Sequence, residues 1–287
     1  MPTRDTAPSV PGVGCRHERD DASPRFPDPV PFDRIHALWD DLADHDTTHS
    51  EDALMCLLHG LCTLLDAHNA SWIGAVRMEG SHADDPVNGW RPRIIRRLRS
   101  DATQLSGLQQ QVRRLEQGSA DPSAIRNASQ AGRFRVHLLK ELVPEAWFQS
   151  ELYRALYLDR GYADAIWAGV PINADAECYF GVFRATDRPS FGSAECTLMA
   201  HVLHGLRWFM RQQMLSHGLV VASSPLTATE RNVLQGLLAG LTEKQIAASL
   251  GQAFNTTHSH VKRLFHKFGV RNRAALMAMW LGSPTPD

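Results

Sequence analysis

Residues 226–281 read LTATERNVLQGLLAGLTEKQIAASLGQAFNTTHSHVKRLFHKFGVRNRAALMAMWL, four short apolar-faced runs divided by clear stops. Thr227 and Glu230 stand three apart, the spacing of a capping box, in which two side chains satisfy backbone N–H groups that a helix start leaves open. Val233, Leu234, Leu237 and Leu238 then share one helical face, and Gly240 stops the run. Thr242 and Gln245 form a second box for a helix that buries Ile246, Ala247 and Leu250, and Gly251 allows a sharp turn. The pattern predicts a third helix from near Asn255 to Gly269. A fourth, from Asn272 or Arg273 to Trp280, closes a small core with Leu276 and Met279.

The third helix divides by chemistry. Val261, Leu264, Phe265 and Phe268 recur at the spacing of one apolar face. At roughly 100° per residue, the opposite face collects Asn255, Ser259, Lys262, Arg263 and His266. An outer face of cations, donors and acceptors suits a major groove, where charge holds phosphates and hydrogen bonds read bases.

With these residues in view, the segment resembles the LuxR-type helix-turn-helix domain of bacterial transcription regulators. The matching words are LTATERNVL, LTEKQIAASLG and TxxxHVKRLFxKFGVRNRAAL at 256–276, within about the last fifth of the chain. The resemblance implies double-stranded DNA as partner, with Lys244 and Arg263 at phosphates and His258, Ser259 and Lys262 at base edges. Asn255 and Thr256 are expected beside the bases, and Lys267 at a phosphate. The sequence departs from the family pattern at Gln252, Ala253 and Phe254 in the turn, at Thr257 for a usual Val, and at His258 for a usual Lys. Those departures bear on the operator rather than the fold.

The net charge of −1 hides a division. Residues 225–287 hold seven Lys and Arg against three Asp and Glu, a balance of +4, which leaves −5 for everything before. The basic part is the part expected on nucleic acid. Five scattered cysteines without CxxC spacing suit a reducing compartment. No apolar run approaches the ~20 residues of a membrane span, and the N-terminus lacks the apolar core of a signal peptide, so a cytoplasmic location with no membrane partner is expected.

Residues 1–31 hold seven of the 16 prolines and read as a disordered arm. A mixed α/β segment follows at 32–215: two amphipathic helices, a strand at 71–78, a polar helical stretch from Pro92 to about Gln117, and a short helix from Asp121 toward Gln130. After an aromatic-rich stretch, two strands at 165–172 and 178–185 are joined by NADAE as a hairpin, and a long helix runs from Ala194 to about Leu215. Residues 216–224 read as a linker to the domain at 225–282. The run GVFRATDRPSFGSAECTLMAHVLHGL, 181–206, resembles the end of GAF-like sensor domains. That resemblance implies an α+β fold, an antiparallel sheet with flanking helices, and a pocket for a small molecule or protein signal.

Two other input domains fail against the residues. A phosphoacceptor receiver opens with a strand and paired acids, where this chain is Pro-rich. Acyl-homoserine-lactone domains carry Trp-x3-Tyr, yet the residues four after Trp39, Trp72, Trp90, Trp147 and Trp167 are Ala43, Val76, Ile94, Glu151 and Pro171. Within the aromatic cluster, Trp147, Tyr153 and Trp167 are the candidate ligand-binding residues, against a simple packing role. The Arg-rich run 91–99 could bind an anionic ligand, nucleic acid or a partner protein, against the preferred reading of a solvated face with Ile94, Ile95 and Leu98 turned inward. His45 and His49 lie in a segment too polar for a buried metal site, and Cys56 and Cys62, six apart, fall on different helix faces.

The chain carries no G-x-S-x-G, P-loop or clustered Cys and His, so neither an enzyme, a cofactor nor a metal is expected. The expectation is a bacterial transcription regulator that binds promoter DNA as a homodimer, with RNA polymerase as a further partner. The helix 194–215 and Leu276, Met279 and Trp280 are candidate dimer surfaces. Its rival is a protein-interaction regulator whose helix-turn-helix no longer reads an operator.

Overall fold

Alternation of buried side chains along five segments builds one antiparallel sheet: β1 (Asn69–Arg77), β2 (Trp90–Arg97), β3 (Arg135–Leu138), β4 (Tyr162–Pro171) and β5 (Ala176–Ala185), in the order β2-β1-β5-β4-β3. The computed structural model describes residues 31–46, 49–78, 84–99, 120–220 and 226–281. The arm expected at 1–31 lies, but for Pro31, outside the described residues.

Because successive strand residues point to opposite sides, the sheet has two unlike faces. Trp72, Ile166, Ala168, Phe180 and Val182 are buried on one, under α1 (Phe32–Ala43), α2 (Ser50–Leu64), α6 (Ser193–His204) and α7 (Arg207–Ser216). The α2 leucines Leu54, Leu57, Leu58 and Leu61 are wholly buried in this layer, each contributing about 1.5–3 kcal/mol of transfer free energy before entropy is charged against it. The other face carries Ser71, Arg97, Trp167, Tyr179, Gly181 and Phe183 in cross-strand register. Over it lie α3 (Pro122–Ala128), the short turns α4 (Leu139–Leu142) and α5 (Glu151–Leu156), and an aromatic cluster of Trp147, Tyr153, Tyr157, Tyr162 and Phe183. Gly181 is required there, since a Cβ at that position would sit 2.9 Å from the rings of Trp167 and Phe183.

The α+β fold with an antiparallel sheet and flanking helices is therefore as the sequence predicts, with two corrections. The Arg-rich run is not helical where it is described. Residues 90–97 are β2, an edge strand paired with β1 through Ile95↔Ile73, Arg96↔Trp72 and Arg97↔Ser71, with a bulge near Pro92. An edge strand tolerates proline and charge, which is why its composition imitates a polar helix. The long closing helix is also two helices, broken at Gly205 and Leu206.

The C-terminal helices are α8 (Ala228–Leu238), α9 (Glu243–Ser249), α10 (Phe254–Lys267) and α11 (Arg273–Trp280). Their core gathers Val233, Leu234, Leu237, Ile246, Val261, Leu264, Phe268, Leu276, Met279 and Trp280, together with Leu215 from α7. Leu276, Met279 and Trp280 are thereby committed inside the chain's own core and offer no free surface to a second copy. Residues 216–220, read as the start of a linker, include the buried Ser216, His217 and Leu219. No described helix is long and apolar enough to cross a membrane.

Candidate nucleic-acid interface and sensor cavity

Both expected capping boxes form. Thr227 Oγ1 accepts from the Glu230 N–H while Glu230 Oε2 accepts from the Thr227 N–H at 2.9 Å, and Thr242 and Gln245 repeat the exchange. Gly251, at φ +61, turns the chain between α9 and α10 in a region that L side chains avoid. Arg273 donates to the carbonyls of Leu237 and Leu241, closing the C-terminal end of α8 with a cation.

Helix α10 begins at Phe254, one residue before the expected start, and its N-cap Ala253 supplies no side-chain acceptor. Val261, Leu264 and Phe268 are buried, and the buried Thr257 fills the place of the usual Val with Oγ1 3.4 Å from Gln252 Oε1. Asn255, Thr256, Ser259, Lys262 and Arg263 are all exposed on one side, and Lys244 is exposed on α9. Among the described residues, Lys244, Lys262 and Arg263 make no ion pair, so their charges are uncommitted.

Two predicted contact residues are engaged within the protein. His258 lies half-buried with Nδ1 2.8 Å from Glu243 Oε2, its ring stacked on the exposed Phe254 at 6.1 Å. Lys267 does not face outward. Its Nζ lies 2.8 Å from Oε2 of Glu230, so it braces α10 against the start of α8. Burial raises the Glu230 carboxyl, but hydrogen bonds from Lys267 and Thr227 outweigh it and hold the group below the ordinary carboxylate range.

In the N-terminal part, a cavity of about 130 Å³ opens between the sheet and α3. Ile73, Trp90, Ile95, Trp167 and Tyr179 give it apolar walls, and Ser71, Arg97, Asp121, Ser123 and Asn127 are among its polar groups. Of the three residues proposed for a ligand, only Trp167 lines this cavity. Trp147 and Tyr153 pack in the adjoining aromatic cluster, where Tyr153 donates to the Ala163 carbonyl at 2.8 Å. Sequence reading did not single out Ser71 within its strand, and it set Arg97 on a solvated helical face, because a helical reading of 92–117 conceals the alternation that directs this arginine here.

The neighbouring Arg96 points to the opposite face. It meets Glu51 of α2 with Nε and Nη2, at 2.8–3.0 Å, and Glu51 in turn lies 3.1 Å from Nε2 of the wholly buried His217. Burial raises the Glu51 carboxyl, yet hydrogen bonds from His217 and Arg96 bring it down to about 2. The His217 carbonyl accepts from the Leu226 N–H at 2.9 Å, so this cluster stands where the N-terminal part meets α8.

Residues 224–280 match the bacterial regulatory proteins of the luxR family (GerE). The segment is similar to the probable transcriptional regulatory protein SgaR of Hyphomicrobium methylovorum, 48% identical over 54 residues, which cover 19% of this chain and 26% of that one. It is also similar to the probable HTH-type transcriptional regulator GfsR of Streptomyces halstedii, 34% identical over 65 residues, covering 22% and 27%. The matches thus span about a quarter of each relative's length. Among solved structures, SdiA in complex with octanoyl-rac-glycerol aligns with TM-score 0.45 at 17% identity, covering 88% of this chain and 95% of that chain. The VqsR LBD domain from Pseudomonas aeruginosa aligns with TM-score 0.42 at 13% identity, covering 64% and 96%. The C-terminal domain of this chain is a LuxR-family helix-turn-helix.

Proposed function

We propose that the chain is a transcription regulator that binds promoter DNA through α10 and is controlled by a signal bound in its N-terminal domain. The observation that carries the reading is the outer face of α10, where Lys262 and Arg263 stand exposed and unpaired beside Asn255, Thr256 and Ser259, within a LuxR-family helix-turn-helix. Lys244 and Arg263 meet phosphates, Lys262 and the polar residues of the first two turns meet base edges, and Lys267 acts as an internal brace. A palindromic site implies a homodimer, formed through surfaces other than the buried Leu276, Met279 and Trp280. The protein works in the cytoplasm, and RNA polymerase is the partner through which bound regulator acts.

The test is capture of genomic fragments by the purified full-length chain at two salt concentrations, alongside a Lys262→Ala/Arg263→Ala variant. Enrichment of a common site, a steep salt slope and loss in the double variant are expected. Failure to enrich any fragment at low salt would overturn the reading. It would favour the protein-interaction alternative, for which the His258–Glu243 pair on the groove face speaks.

A further inference from the structure

The cavity between the sheet and α3 holds a positive charge that, among the described residues, meets the Tyr162 hydroxyl but no carboxylate. Arg97 and Ser71 are directly opposed residues of β2 and β1, and both line the cavity. Side chains so opposed stand about 5 Å apart at Cβ. Ser71 is 1% exposed, and its hydroxyl has no hydrogen-bond partner. Arg97 Nε and Nη1 are likewise buried and unpartnered, and among the described residues no carboxylate pairs with this guanidinium. Its carbon lies 5.4 Å from the centre of the Phe183 ring, which steadies the group but does not neutralise it. A largely buried guanidinium with two unmet nitrogens and an unmet hydroxyl beside it cost stability, and a ligand that accepts from all three would recover that cost.

We propose that the signal is a small organic monocarboxylate, seated with its carboxylate on Arg97 and Ser71 and its body against Trp90, Trp167 and Tyr179. One guanidinium balances one negative charge, which favours a carboxylate over a doubly charged phosphate. The volume of about 130 Å³ is comparable with the ~150 Å³ of an engineered apolar cavity that accepts benzene, so one ring or a short branched chain fits. The aromatic walls favour a flat body. The other polar side chains are already engaged: Asp121 accepts from the Ser123 N–H at 3.1 Å and hydroxyl at 2.5 Å at the start of α3, and Asn127 Oδ1 accepts from Arg135 Nε at 2.9 Å. The Arg97 end is therefore the anion end.

This inference deepens the sensor reading above and rests on it. The test titrates the full-length chain with phenylacetate, phenylacetamide and inorganic phosphate, following quenching of tryptophan fluorescence and the shift in melting temperature. Phenylacetate is expected to bind at least 10-fold more tightly than the amide, and phosphate not to bind. Arg97→Met should abolish the preference and Ser71→Ala reduce affinity several-fold. Arg97→Met should also melt at the same or a higher temperature without ligand, since it removes an uncompensated charge, whereas a merely structural arginine would lower it. Equal binding of acid and amide would overturn the carboxylate class while leaving a sensor pocket. Binding of neither overturns the proposal, and the DNA-capture experiment separately decides whether the regulator reading stands.

Discussion

Replacing Lys267 by methionine should weaken the fold of the C-terminal domain, whereas the same change at Lys262 should not. All three donors to Glu230 converge on Oε2: the Thr227 N–H at 2.9 Å, the Thr227 hydroxyl at 3.1 Å and Lys267 Nζ at 2.8 Å. The glutamate side chain is 4% exposed and the lysine 24%. Lys267→Met therefore leaves a nearly buried carboxylate with two neutral donors and no counter-charge. Breaking a fully buried pair costs about 3–5 kcal/mol, and a hydrogen bond to a charged group about 1.5–3. With the lysine partly in water the lower range applies, so the loss should be about 1.5–3 kcal/mol. Lys262, exposed and unpaired, should change stability by less than ~0.5 kcal/mol.

Urea unfolding of the full-length chain, with amide exchange in α8 and α10 to assign the loss to this domain, measures the effect. A double-mutant cycle with Glu230→Gln isolates the pair. The pH dependence adds a sign. The Glu230 carboxyl is held below its usual 4.5, so its contribution is full above that value and fades as pH falls through the lower folded one. Lys267→Met and the parent protein should accordingly converge in stability below pH 4.5. A loss under ~0.5 kcal/mol, or one that additivity with Glu230→Gln explains, would refute the brace.

Other outcomes are as specific. Lys244→Ala and Arg263→Ala should each lower the slope of log K against log salt by about 0.9, and Lys267→Met should leave it unchanged when measured far below its melting temperature. Glu51→Gln should destabilise the chain by about 1–2 kcal/mol at neutral pH, a figure discounted because this carboxylate is 37% exposed. In the parent that contribution is complete above pH 4.5 and fades toward pH 2, which acid titration monitored by circular dichroism can follow. Gly169→Ala would place a Cβ 2.4 Å from the Arg135 guanidinium carbon and push it off the wholly buried Glu177, which it meets at 2.9 Å. A cost of about 3–5 kcal/mol in urea unfolding is expected.

The C-terminal domain was legible because its signals are local. The Thr227–Glu230 and Thr242–Gln245 boxes, the glycine stops and the apolar spacing of α10 each act within a few residues, so chain order alone places them. The brace was not legible, because Lys267 and Glu230 lie on different helices and nothing along the chain joins them. In the N-terminal part, the hairpin of β4 and β5 and the Asp121 cap declared themselves for the same local reason. The aromatic residues Trp147 and Tyr153 announce burial, but burial alone does not separate a core from a cavity wall.

The decisive ambiguity lay in IIRR at 94–97. Read with a helical period, two adjacent arginines share one solvated side and do no more than keep the chain soluble. Read as a strand, they must point to opposite faces of the sheet, and each then meets a different demand. Arg96 finds Glu51 and, through it, His217 beside the junction with α8. Among the described residues, Arg97 finds no carboxylate, beside a serine hydroxyl without a hydrogen-bond partner. One residue of register thus separates a satisfied cation, which ties the sensor helices to the sheet, from an unsatisfied one, which faces the cavity. Because both ride on the same edge strand, any displacement of β2 that seats a ligand on Arg97 also moves the Arg96 end of the ion pair at the junction. If the cavity binds the proposed signal, that shared backbone is a route by which it would reach α8, and Glu51→Gln is then expected to loosen the coupling while leaving ligand affinity in place.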